Sequence, residues 1–195
     1  MADGSMVLLP LTTARLLTYA IAPAEPRLQA VAASIVRSSR GEGDGVPPLL
    51  GLTRDVYEQL LATLFPRAQQ DLADLAPSDA DVAARAALTA LEFADLAALL
   101  REALTEGTPE EVGLAHALAV GCLGSRHLWE DLALANRQAL SGLFADSFPS
   151  LYRRNDKNMK WKKFLYRELC QRLGVFVCKS PSCAACSDYS HCFGP

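Results

Sequence analysis

The chain is 195 residues long, half of it hydrophobic and 21% charged, with a net charge of −3. That length and composition suit one globular domain with a real core and exclude a disordered chain. The mild acidity gives no global basic field for nucleic acid, and no apolar run approaches the roughly 20 residues that span a bilayer.

The N-terminal stretch carries its first charge at Asp3 and its first basic residue at Arg15, and Pro10 interrupts a short apolar run. It does not read as a secretory signal, and a cytoplasmic protein is expected. "LTTARLLTYAIA" reads as a first helical segment, broken by Pro23 and Pro26. "RLQAVAASIVRSS" follows as a second helix and "RGEGDGVPPLLG" as a loop. Thr53 is placed to cap "RDVYEQLLATLF", which Pro66 ends. Ser78 is placed to cap an Ala/Leu-rich stretch reaching about Leu104, long enough for two helices, with its acids on a solvated face.

The clearest start signal lies in "TPEEVGLAHALAVGCLG". Thr108 caps, Pro109 takes the first helical position, Glu111 completes a capping box and Gly124 stops the helix. "NRQALSGLFADSF" is the next helix and ends at Pro149. The last is "KNMKWKKFLYRELCQRL", with Trp161, Leu165, Leu169 and Leu173 as one apolar stripe and Gly174 as a left-handed cap. Strand signals are few; "VFVC" at 175–178 is apolar but short. The expected fold is all-α, a single helical domain with an irregular C-terminal four-cysteine loop. Residues 1–48 read as a peripheral N-terminal helical segment, 49–174 as the helical body and 175–195 as the cysteine-rich loop.

Four of the six cysteines, Cys178, Cys183, Cys186 and Cys192, fall in the pattern C-x4-C-x2-C-x5-C. A cytosolic cluster of reduced thiols reads as a metal site before it reads as disulfides. Such close neighbours also rarely meet disulfide geometry without strain. The tail has no apolar periodicity with which to order itself, whereas metal binding supplies folding free energy directly. Structural zinc usually takes two C-x2-C knuckles apart from each other. Here the leading C-x4-C-x2-C matches a ferredoxin-type spacing, which favours an iron–sulfur cluster over zinc.

Charge agrees with an anionic cluster. Residues 153–172 carry a net +6 and residues 173–195 none, leaving −9 on residues 1–152. A basic helix leading into the loop stabilises thiolates and attracts a small oxyanion or an acidic protein surface. Arg126, Lys162 and Lys163 are candidates for guiding such an anion or a partner. His127 and His191 are candidate additional ligands, or hydrogen-bond donors to ligands. Cys170 can approach the loop if the chain doubles back after Gly174. As isolated cysteines in helical patterns, Cys170 and Cys122 read first as small hydrophobes. His116 reads as a core histidine, and Trp161 and Phe164 as packing residues.

Taken in order, "RHLWEDLAL", "YRRNDKNMKWKKFLYRELC" and the four-cysteine loop ending in Phe-Gly-Pro resemble the NifQ family. The resemblance is specific over residues 121–195 and looser over 50–120. It implies a metal-handling protein rather than an enzyme, one that donates molybdenum to iron–molybdenum cofactor assembly in nitrogen fixation. It implies that Cys178, Cys183, Cys186 and Cys192 hold an iron–sulfur cluster, [4Fe-4S]-like or Mo–Fe–S. It implies molybdate as the source of the metal, and the cofactor-assembly scaffold and the nitrogenase iron protein as partners. Neither nucleic acid nor membrane is an expected partner. Two rival readings stand beside it. One is a helical nucleic-acid-binding protein with an iron–sulfur loop, for which no Gly-rich hairpin precedes the cysteines. The other is a binding module with a structural zinc knuckle.

Overall fold

A computed structural model describes residues 11–68 and 77–174. Among them are ten α-helices and no strand. The cysteine loop, "VFVC" and His191 lie outside the described residues, so the expectations placed on them are not addressed by the fold.

Helix α1 (Thr13–Leu17) is one short turn capped by Thr12, whose Oγ1 accepts the Arg15 amide. Helix α2 (Pro26–Arg40) begins with proline at its first position and ends at left-handed Gly41. It lies within the segment expected at the periphery, yet Leu28, Val31, Ile35 and Val36 are buried in the core. A short 3-10 turn (Pro48–Gly51) follows. Three successive residues there, Leu49, Leu50 and Gly51, have positive φ, which for leucine costs roughly 1–2 kcal/mol each. Ser38 holds the turn by donating to the Pro47 carbonyl (2.7 Å) and accepting from the Leu50 amide (3.1 Å).

Helix α3 (Arg54–Leu64) starts after an extended Thr53 whose side chain makes no cap bond. The Ala/Leu stretch divides into α4 (Asp79–Ala86), capped by Ser78 through the Asp81 amide, and α5 (Leu91–Glu102). The break has a local cause. The Ala90 amide bonds the Gly45 carbonyl (3.0 Å), and a Cβ at Gly45 would lie 2.6 Å from that of Ala90. Only glycine, here at φ +72, allows this approach.

Helix α6 (Pro109–Cys122) carries the capping box read from the sequence. Every residue from Gly113 to Cys122 is buried, so it is a core helix without a polar face. Helices α2, α3 and α5 pack around it, with the 3-10 turn and the single-turn α7 (Leu128–Asp131). Helix α8 (Arg137–Ser147) is capped by Asn136, whose Oδ1 accepts the Ala139 amide at 2.9 Å. Pro149 does not merely end α8. It opens α9 (Pro149–Arg154), where its missing N–H is tolerated and its φ is already set, and Phe148 is the pivot between the two.

Helix α10 (Trp161–Leu173) begins later than the periodicity suggests. Asn155 closes a turn on Met159, accepting its amide at 2.8 Å and donating to its carbonyl at 3.1 Å. Trp161, Leu165 and Leu169 are buried as expected of the stripe, but Leu173 is 56% exposed. Phe164 and Tyr166 widen the buried face instead. The helix packs on α5 and ends at Gly174 with φ +63. No helix among the described residues is long and apolar enough to cross a membrane.

Candidate functional site

After Cys122 the chain leaves the core, turns through Gly124–His127 and enters α7. His127 is the first residue before that helix, and its amide donates to Glu130 Oε2 at 3.0 Å. The turn carries Asp131 inward until its side chain is only 4% exposed. A carboxylate so placed needs partners, because an unpaired buried charge is strongly disfavoured. It has three. Lys162 Nζ lies 2.5 Å from Oδ2, Arg37 Nη1 3.3 Å from Oδ1, and Arg126 donates its amide to Oδ2 at 3.3 Å with its Nε 3.5 Å from Oδ1. Lys162 also donates to the Gly124 carbonyl at 2.7 Å. Gly124 was expected as a helix stop, but its place here is steric. A Cβ would overlap the Asp131 carboxylate and sit 2.5 Å from Arg37 Nη1.

Above this knot lies an open groove of about 650 Å³ between the 124–127 turn, α7, the start of α8 and the start of α10. Arg126, His127, Lys162 and Lys163 all line it, together with Trp129 and Trp161. Residues singled out from two separate stretches of sequence thus meet in one place. Their conditions differ. Lys162 is engaged by Asp131 and by the Gly124 carbonyl. Lys163 pairs with no side chain among the described residues. The Arg126 side chain is 64% exposed, with a 3.3 Å bond from Nη2 to the Glu130 carbonyl.

The walls are rigid. Trp161 stacks on Phe144 (centroids 3.8 Å apart, planes within 3°), meets Phe164 edge-on and donates to Ser141 Oγ at 3.0 Å. Arg137 bonds the carbonyls of Asn158 and Met159 at 2.6 and 3.0 Å and so fixes the approach to α10.

The far end of α10 is different. A groove of about 790 Å³ there is lined by Arg153, Arg154 and Arg172 with Glu102 and Glu168. Arg154 pairs with Glu168 at 3.2 Å and Arg172 with Glu102 at 2.6 Å. Cys170, half-buried, lies one turn before the chain leaves α10 towards Cys178. At about 1.5 Å per residue, the 13 residues of α10 separate this exit from the first groove by about 20 Å.

His116 is a core residue, 6% exposed, as expected. Its Nδ1 donates to the Leu50 carbonyl (2.9 Å) and its ring meets Phe93 edge-on, while Nε2 has no partner. Burial holds its pKa below the usual histidine value, so the ring is neutral. Burial likewise pushes the Cys122 thiol up to about 12, which makes it inert. Sequence reading missed Asp131, Arg37 and Arg137. A signal existed for Asp131, which stands three residues after Leu128 and next to Leu132 in "RHLWEDLAL", at spacings that place it on the inward face while its neighbour Glu130 points elsewhere. Among the described residues, no group of three or more His, Cys, Asp or Glu side chains is placed to hold a metal.

Comparison with known proteins adds to this geometry. A family model described as NifQ matches residues 30–194. The chain is 40% identical over 167 residues to Protein NifQ of Azotobacter vinelandii, covering 82% of this chain and 85% of that protein. It is 47% identical over 88 residues to Protein NifQ of Rhodobacter capsulatus, covering 45% and 49% respectively. It is 46% identical over 81 residues to Protein NifQ of Klebsiella pneumoniae, covering 41% and 48%. No solved structure matches.

Proposed function

Because the chain belongs to the NifQ family, we propose that it is a molybdenum carrier for assembly of the nitrogenase iron–molybdenum cofactor. In this reading it takes up molybdenum at a cysteine-ligated iron–sulfur cluster and hands it to the cofactor-assembly scaffold, with the nitrogenase iron protein taking part. It is a cytoplasmic donor protein rather than an enzyme. The observation that carries the reading is family membership joined to the donor set in the chain. Cys178, Cys183, Cys186 and Cys192 are four soft thiols at cluster spacing, just after a helix with a strong basic excess.

The donor set fits the group. Thiolates are the ligands that iron–sulfur clusters take, and the chain brings four of them within fifteen residues. Held there, a cluster would supply soft sulfide ligands to molybdenum. The protein's own part is to collect the four thiols, keep them deprotonated and present them from the end of a rigid helix. The left-handed cap at Gly174 ends α10 four residues before the first of them. Binding of DNA or RNA is not part of this reading, since the body upstream of α9 is strongly acidic.

Purification without oxygen followed by elemental analysis tests the proposal. The expected protein is brown, contains iron and sulfide, and gains molybdenum with Mo–S scattering by X-ray absorption after reduced incubation with molybdate. Replacing the four cysteines by serine should abolish the iron. A colourless protein with zinc alone, or iron retained in the serine variant, would overturn it.

A further inference from the structure

Grooves open at several places on the described surface, and their charges differ in kind. The one between α2, Leu64 and the start of α6 carries Glu25, Glu106, Glu110 and Glu111 against Arg27, and repels anions. The one at the far end of α10 has three arginines, two of them closed on carboxylates. The groove over Asp131 is lined by five basic side chains and the single carboxylate of Glu130, and stays cationic after Lys162 is set against Asp131.

We propose that this third groove receives a small tetrahedral divalent oxyanion, with Arg126, His127 and Lys163 facing the anion and Lys162 pinning the floor. The inference rests on the molybdenum-carrier reading for naming molybdate as the physiological anion; the chemistry of the groove names only the class.

The two carboxylates nearest the groove are both turned to other uses. Asp131 is buried and neutralised by Lys162, Arg37 and Arg126, so it projects no free negative charge upward. Glu130 accepts the His127 amide. Lys163 and the exposed Arg126 approach from opposite walls, one from α10 and one from the turn before α7. The start of α10, whose first-turn amides receive no side-chain cap, adds potential of the same sign. Guanidinium and ammonium groups are suited to oxyanions by charge and by multiple N–H donors.

The concave shape favours a small anion over an acidic protein face. The cations line the walls of a groove whose aromatic side, Trp161 on Phe144, is rigid, and they do not form a convex patch. The site stands about 20 Å from the chain's exit towards the cysteines. Its ammonium and guanidinium donors would suit the hard oxyanion, whereas the four thiols suit a softer, reduced metal.

The molecule carries its own reporter, since its only two tryptophans, Trp129 and Trp161, both line the groove. The full-length variant with all four loop cysteines changed to serine, and the metal-free wild type under reducing conditions, are titrated with molybdate at low ionic strength. Tryptophan fluorescence and equilibrium dialysis are read together. Saturable binding of one molybdate is expected, weakened by salt and displaced by tungstate or sulfate. Arg126→Gln with Lys163→Gln should weaken it at least tenfold while circular dichroism shows the helices retained, Lys163→Gln alone should weaken it severalfold, and Arg153→Gln in the other groove should not affect it. Absence of binding, binding unaffected by the double variant, or binding of an acidic peptide in place of molybdate would overturn the proposal. The two readings fail separately. Anion binding with no iron or molybdenum ever found in the native protein would sink the carrier reading alone. Metal loading with a groove indifferent to molybdate would sink this one alone.

Discussion

The two ends of α10 use the same kinds of charge to opposite effect. At its start, Lys162 reaches a carboxylate that is 4% exposed and shared with two arginines. At its end, Arg172 pairs with Glu102 at the surface, and Arg154, itself exposed, pairs with a Glu168 side chain that is 13% exposed. Burial decides the difference. A surface pair exchanges water contacts for one another at little net gain. A buried one need not stabilise relative to an apolar substitute, but breaking it strands a charge. The first end is thus a structural knot that shapes a groove, and the second a solvated surface beside the departing chain.

The sharpest way to break this comparison is to remove Asp131. Asp131→Ala leaves Lys162 and Arg37 part-buried and facing each other, and should cost about 3–5 kcal/mol of stability. That is a large share of the roughly 5–15 kcal/mol typical of a domain. Urea unfolding followed by circular dichroism measures it. Lys162→Met keeps the length of the side chain and leaves Asp131 two arginines, so a smaller loss of about 2 kcal/mol is expected. If the two variants were equally mild, the knot would be no more than another surface pair.

Next in size is Gly124→Ala. The added methyl enters the space of the Asp131 carboxylate and crowds Arg37 Nη1 at 2.5 Å. Overpacking of this sort costs about 1–3 kcal/mol. The effect should shrink in an Asp131→Ala background, where the carboxylate is gone and only the movable end of Arg37 remains in the way, and that double-mutant cycle reads the coupling directly.

How far the sequence could reach is visible in these same residues. The capping box at Thr108 and Glu111, the cap at Ser78 and the left-handed stop at Gly174 are local signals, complete within a few residues, and the helices obey them. The start of α10 was not legible, because Asn155 folds back on Met159 and holds 155–159 outside the helix. Lys162 and Lys163 look alike in "MKWKKF". Successive helical residues point about 100° apart, so one turns to Asp131 and the other to the groove. Which does which depends on Asp131, 31 residues earlier, and on Arg37 from α2. The groove was half legible. Its residues were chosen for their chemistry, but their meeting is a product of packing around α6.

His116 offers a test of the core on which both ends rest. Burial, the largest influence, lowers its pKa below 6.5 in the fold, and the Arg101 charge on α5 acts in the same direction against the opposing bond to Leu50. The unfolded chain therefore takes up a proton first as the pH falls. Stability is fully present above 6.5 and declines below it, by at most about 1.4 kcal/mol per pH unit, until the folded histidine also protonates. His116→Gln, which keeps a donor for the Leu50 carbonyl, should flatten that slope just below pH 6.5. Carboxylates contribute further down the scale, so urea midpoints at pH 7.5, 6.5 and 5.8 isolate the histidine.

The smallest expected effect lies at the surface end of α10. Arg172 Nη2 and Glu102 Oε1 are 2.6 Å apart, with the two side chains 44% and 59% exposed. The hydrogen bond from Arg172 holds the Glu102 carboxyl below its ordinary range, so whatever the pair contributes is present above pH 4.5 and lost as the carboxyl protonates. Water competes for both groups, and salt screens what attraction remains. Arg172→Ala should therefore leave the urea midpoint where it is, in low salt and in molar salt alike. A midpoint shift approaching that of Asp131→Ala would mean that the second groove is built on its ion pairs as firmly as the first, and that exposure does not separate the two ends of the helix.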